Sequence, residues 1–147
     1  MPNIQTEFKR LRKRYNLKYL KLYFDPFALD RLKSEAILNF ILWEICLRDK
    51  RICRRRLLSL LHEMRHAMQF KQNRMTMNGR HTKILYSLEI EAEMFAVEEY
   101  EKLYAKKYGS CLNDKWTLAT YEDYCEHFKK HWKTLGFGRI LVPSDMP

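Results

Sequence analysis

The chain is poor in the residues that break or staple structure. Four glycines and four prolines in 147 residues leave little material for linkers, and no internal repeat or low-complexity segment is present. Disorder is therefore expected only near the ends. Cys46, Cys53, Cys111 and Cys125 form no C-x-x-C pair, so reduced, mostly buried thiols are expected rather than a disulfide framework. No apolar run approaches the roughly 18 residues of a membrane span. The most apolar stretch, AILNFILWEICL, is short and carries Asn39 and Glu44. The N-terminal MPNIQTEFKRLRKRYNLK has cations but no apolar segment or small-residue cleavage site behind them. A cytoplasmic location is the resulting expectation, with no membrane as partner.

Acid is scarce relative to base. Asp plus Glu number 18 against 28 Lys plus Arg, a formal charge of +10 that favours polyanionic or acidic partners at low salt. The excess is clustered at Arg10, Arg12, Lys13 and Arg14 and again at Arg51, Arg54, Arg55 and Arg56. Such runs are usually solvated faces, and they are also where a nucleic acid would dock.

What is present is enough for one core. A hydrophobic share of 46% over this length suits one domain spanning 1–147, with an irregular tail from about 137. LKYLKLYF reads as a strand, and Asp25-Pro26 after it as a helix start with Asp as cap and Pro in the first turn. Leu29, Leu32, Ala36 and Phe40 keep helical spacing, but the run beyond Ile37 is apolar on both faces and reads as a buried strand. A helix is expected from about Cys53 to Gln72, then a turn at Asn78-Gly79. A long helix follows from about Lys83 to Lys107, ending at Tyr108-Gly109. A last helix is expected from a Thr120 cap, with Asp123 at the capping-box position, to Gly136. The whole is an α+β, mostly α-helical arrangement, with a small N-terminal sheet packed on the first long helix and on the glutamate-rich one.

Chemistry concentrates on those two helices. LLHEMRHAMQ contains H-E-x-x-H, so His62 and His66 stand one turn apart on the same helix face and can reach one metal ion. Glu63 projects beside them, where a carboxylate can take a proton from metal-activated water. EIEAEMFA begins 23 residues after His66. There Glu89, Ala92, Glu93 and Ala96 share one face, and the alanines permit close helix approach. Glu89 is then placed to complete a three-ligand site with an open fourth position. Glu93, one turn on, can orient a ligand histidine. Glu91 lies about 200° round the helix from Glu89 and is expected in solvent; Arg65, inside the motif, is as open to a surface ion pair as to a role at the metal. A donor for a developing oxyanion is not assigned; His81, Tyr86, Tyr100, His127 and His131 all remain open.

HEMRH followed by EIEAEMFA resembles the gluzincin metallopeptidases, whose pattern is HExxH and then ExxAD or a variant such as ExEAxxFA. Within that group it is most similar to the small ImmA/IrrE-like and minigluzincin proteins. The resemblance covers about Leu57 to Tyr100. It implies a zincin-like fold and a zinc peptidase, with Zn2+ held by His62, His66 and Glu89, Glu63 as general base, and a protein or peptide as substrate. Glu93 stands where the family commonly has Asp or Asn. Two alternatives stay open: a basic nucleic-acid-associated protein using Arg10, Arg12, Lys13, Arg14, Arg54, Arg55 and Arg56, and a metal-stapled interaction protein without turnover. Latency through the N-terminal helix or through the tail around Asp145 is a further expectation.

Overall fold

The computed structural model describes residues 3–72 and 82–131, without the side chains of 82–87, 128 and 131. The expected Asn78-Gly79 turn, His81, the side chains of Tyr86 and His131, and the tail from 137 fall outside the described residues. So does the expected helix end at Gly136.

The described elements are mostly helical, with one small mixed sheet. Helix α1 (Ile4–Arg14) is followed by β1 (Lys21–Phe24), α2 (Pro26–Leu32), β2 (Ala36–Asn39) and β3 (Glu44–Leu47). Two long helices come next, α3 (Arg54–Lys71) and α4 (Thr82–Leu103). A short α5 (Ala105–Tyr108), a 3-10 turn (Cys111–Asn113) and α6 (Lys115–His131) complete the order. The sheet runs β1-β3-β2, with β1 parallel and β2 antiparallel to β3. Helix α3 packs between the sheet and α4, and α6 also packs on α4.

Local chemistry sets most boundaries. Asn3 caps α1 by accepting the Thr6 amide, and Asp25 caps α2 by accepting the Ala28 amide at 3.0 Å, with Pro26 supplying the first turn. Helix α2 stops at Lys33, whose φ of 52° is left-handed. The helical spacing that runs on through Ala36 and Phe40 is therefore not used. The apolar run AILNFILWEICL is two strands, not one: Asn39 Oδ1 accepts the amides of Ile41 and Leu42 and turns the chain into an antiparallel hairpin. Helix α3 occupies the expected span, with Cys53 and Gln72 as its caps.

Two later boundaries differ from expectation. The long fourth helix breaks at Tyr104, and Gly109 has φ 90° with ψ 151°, a positive-φ extended state rather than a helical left-handed cap. The last helix begins five residues before Thr120, at Lys115. Asp114 turns the chain there by accepting the Trp116 amide at 2.9 Å, and so takes the role expected of Thr120. All four cysteines are free; Cys46 and Cys111 are buried, Cys53 and Cys125 partly so.

The core is continuous from α1 to α5. Ile4, Phe8 and Leu11 of α1 meet Leu57, Leu60, Leu61 and Met64 of α3, and Ala96, Val97 and Tyr100 of α4 join them. Each such side chain contributes about 1.5–3 kcal/mol on burial. Helix α1 is fastened to α4 by a polar clasp: Glu99 accepts from the Arg14 guanidinium at 3.0 Å and from the Tyr15 hydroxyl at 2.7 Å. Burial works against the charged form of Glu99, but these donors, Arg14 first, hold its carboxyl below the usual range. A carboxyl depressed in the folded state stabilises above its unfolded pKa, and that contribution is lost as pH falls through the folded value. Glu99→Gln is accordingly expected to lower the melting temperature at neutral pH and to flatten its decline between about pH 5 and pH 3. Thermal melts of both proteins across that range check this; parallel curves would contradict it.

Candidate metal centre

The motif residues converge because α3 and α4 cross at their functional faces. Leu60, Leu61, Met64 and Met68 anchor α3 in the core, which leaves His62 and His66 on the side facing Glu89 of α4. The two imidazole Nε2 atoms are 3.0 Å apart. Glu89 Oε1 lies 2.6 Å from His66 Nε2, and Oε2 lies 3.2 Å from His62 Nε2. One ligand atom from each of the three residues falls within 4.8 Å of the others.

The donor set suits zinc. Ligand atoms at roughly 2.0–2.2 Å from a tetrahedral zinc stand roughly 3.3 Å apart, near the 3.0 and 3.2 Å from His62 and longer than the 2.6 Å between His66 and Glu89, and two imidazoles with one carboxylate are a usual catalytic trio. Burial disfavours a charged His62, but the Glu89 and Glu93 carboxylates outweigh it and push the imidazole up to about 10. Burial likewise opposes the Glu89 carboxylate, and both histidines hold it well below the ordinary range. The two imidazoles thus stand against carboxylates whose charge a cation would balance.

Each histidine has a distinct support. His66 Nδ1 lies 2.8 Å from Gln69 Oε1, and the Gln69 amide donates to the Leu88 carbonyl at 3.1 Å and to Glu91 at 3.2 Å. With its Nδ1–H donated to Gln69, His66 keeps Nε2 as the lone-pair atom that faces Glu89. His62 Nδ1 is 2.6 Å from Glu93 Oε1, a close contact that lacks hydrogen-bond direction and leaves the nitrogen without a satisfied partner. Glu93 therefore reaches the expected histidine, and its longer side chain meets that histidine at a poor angle.

Glu91 and Arg65 are where expectation and structure part. Both are buried, with Arg65 Nε donating to Glu91 at 3.1 Å and the guanidinium 4.7 Å from the Phe95 ring. Helical phase turns Glu91 away from Glu89, yet it meets Arg65 and Gln69 of α3 and is buried in the α3–α4 interface. An unbalanced acid on that surface needs a buried cation, and Arg65 provides it.

The site opens on a cleft of about 1000 Å³ lined by His62, Glu63, Glu89 and Glu93. Its rim includes Ala36 of the edge strand β2, Arg54 and Arg55 at the start of α3, and Trp116 of α6. Burial pushes the Glu63 carboxyl up, against the pull of His62 and His66, and the Leu38 backbone N–H of β2 favours its charged form. Sequence reasoning missed Gln69, although its i+3 spacing from His66 is a readable signal, and it missed Trp116, which only the packing of α6 brings to the cleft.

The remaining expected residues are dispersed. Tyr100 is buried and donates to the Gly109 carbonyl at 2.8 Å, so it closes the end of α4 instead of serving the cleft. His127 is not among the cleft-lining residues. Six of the seven cations expected to meet nucleic acid have internal partners: Arg10 with Glu7, Arg12 with the Leu20 carbonyl, Arg14 with Glu99, Arg54 with the Ser110 carbonyl, Arg55 with Glu35 and Arg56 with Asp49. No family model matches the chain, and neither a curated protein nor a solved structure matches it.

Removing one member of a buried ion pair strands the other. Glu91→Ala is expected to destabilise the fold by about 3–5 kcal/mol, measured by denaturant unfolding. A loss under about 1 kcal/mol, typical of a surface pair, would contradict the buried assignment.

Proposed function

We propose that this protein is a zinc-dependent peptidase, with His62, His66 and Glu89 holding the ion. The carrying observation is the convergence of the two Nε2 atoms and the Glu89 carboxylate at 2.6–3.2 Å, with His62 and Glu89 lining a cleft and His66 buried behind them. The resemblance of HEMRH and EIEAEMFA to the gluzincin pattern supports the same reading.

Bound zinc supplies a polarised carbonyl and an acidified water. Glu63 then has the work of a general base: it accepts a proton from the attacking water and passes it to the departing amine. Its raised affinity for protons suits that exchange. Gln69 holds the His66 imidazole, Glu93 makes a close but poorly directed contact with His62, and Arg65 with Glu91 holds Gln69. The substrate class follows from the cleft's lining, because among the described residues β2 is an edge strand with no strand paired to its outer side. An extended peptide can pair with such an edge, which brings one of its carbonyls past Glu63.

Glu63→Gln is expected to retain zinc and to lose at least about a hundredfold in peptide hydrolysis, the scale of general-base catalysis. Hydrolysis of a mixed peptide library at the wild-type rate by that variant would remove Glu63 from the mechanism. Gln69→Ala is expected to weaken zinc binding by about 10–100-fold, as loss of an imidazole's supporting partner does. Competition against a chromogenic chelator reads this directly, and unchanged affinity would assign Gln69 to packing alone.

A further inference from the structure

Two loops at one end of the sheet are tied into a single tip. The Trp43 indole N–H donates to the Lys18 carbonyl at 3.2 Å, and the Lys21 amide donates to the Trp43 carbonyl at 3.0 Å. Each loop is braced. Arg12 donates to the Leu20 carbonyl at 3.0 Å and the Lys71 ammonium to the Asn16 carbonyl at 2.8 Å. On the other loop, Asn39 accepts both turn amides, and the Phe40 ring stacks 4.8 Å from Phe70 of α3. Asn16, Tyr19 and Trp43 have φ of 54°, 66° and 56°. A bulky side chain keeps that left-handed conformation only where its surroundings enforce it.

What the braces present is apolar. Tyr19 is 84% exposed, Ile41 77% and Leu42 59%. The surroundings are cationic: from Phe8 to Phe24 the chain has seven basic residues and no acidic one, and from Ala36 to Trp43 it has no charge at all. Lys13, Lys18, Lys21 and Lys71 are exposed. In the strand register the nearest acid is Glu44, opposite Lys21.

We propose that this tip docks on an anionic bilayer surface, with Ile41 and Leu42 entering the acyl boundary, the Tyr19 ring at headgroup level and the lysines on lipid phosphates and carboxylates. Charge complementarity and the mixed chemistry of the tip select this occupant. Nucleic acid would engage the lysines and the Tyr19 ring, but two aliphatic side chains at the apex have no phosphate or base face to meet. A surface contact of this kind needs no spanning helix, and no helix among the described residues is long and apolar enough to cross a membrane. The inference stands apart from the metal centre, since none of these residues lines the cleft.

Co-sedimentation of the full chain with phosphatidylcholine vesicles, with and without about 30% phosphatidylserine, tests it. The full chain is expected to pellet with the anionic vesicles only, and less as salt rises. Lys18→Glu with Lys21→Glu should weaken binding at least tenfold, at about fivefold for each lysine. Ile41→Ser with Leu42→Ser should weaken it as much while leaving the salt dependence and the melting temperature in place. Equal pelleting with both vesicle types, no pelleting, or wild-type binding by the Ile41/Leu42 variant would each overturn the proposal. So would tighter binding to a single-stranded oligonucleotide than to the vesicles, or a dimer that the Ile41/Leu42 variant abolishes.

Discussion

The arrangement depends on one buried ion pair. Arg65 and Glu91 face each other between α3 and α4, and neither reaches water. Burying two charges is expensive, and the attraction repays it only when their geometry is held. That makes the pair a register device. If α4 turned by one residue, Arg65 would meet Ile90 or Ala92, and Glu89 would swing away from both imidazoles. The same interaction that orders the α3–α4 interface therefore also sets the position of Glu89, the proposed third ligand.

From that pair a polar path leads outward to the cleft. Glu91 and the Leu88 carbonyl fix the Gln69 amide, Gln69 fixes the His66 ring, and Nε2 of that ring meets Glu89 and His62. Apolar packing of Leu57, Leu60, Leu61 and Met64 holds the helix in place, while the polar path decides the rotation of one ring. His62 has a weaker support, a close but poorly directed contact with Glu93. The two imidazoles are thus unequally organised, with the rigid one on the buried side and the other nearer the cleft.

Much of this was legible in the chain before any coordinates. His62, His66, Glu89 and Glu93 follow from helical periodicity, because spacing alone places them on shared faces of two helices that must bury their alanine and leucine sides. The span of α3, the Asp25 cap and the mostly helical α+β class are similarly local matters. Glu91 was expected in solvent because its phase was read as turned away from α3, whereas Arg65 and Gln69 of α3 reach round to it. The hairpin in AILNFILWEICL was hidden because its exposed turn is itself apolar, with Ile41 and Leu42 continuing the run, and Asn39 alone marks the turn. Trp116 joins the cleft through tertiary packing of α6, for which no local signal exists.

A single metal ion held by His62, His66 and Glu89 is what the proposed function requires. Zinc content by elemental analysis, on the purified chain and on His62→Ala, His66→Ala and Glu89→Ala, measures it most directly. One zinc per chain, lost in all three variants with the fold retained, is the predicted result. A wild-type chain without stoichiometric zinc when supplied with it would contradict the claim, and full zinc in Glu89→Ala would remove α4 from the metal site.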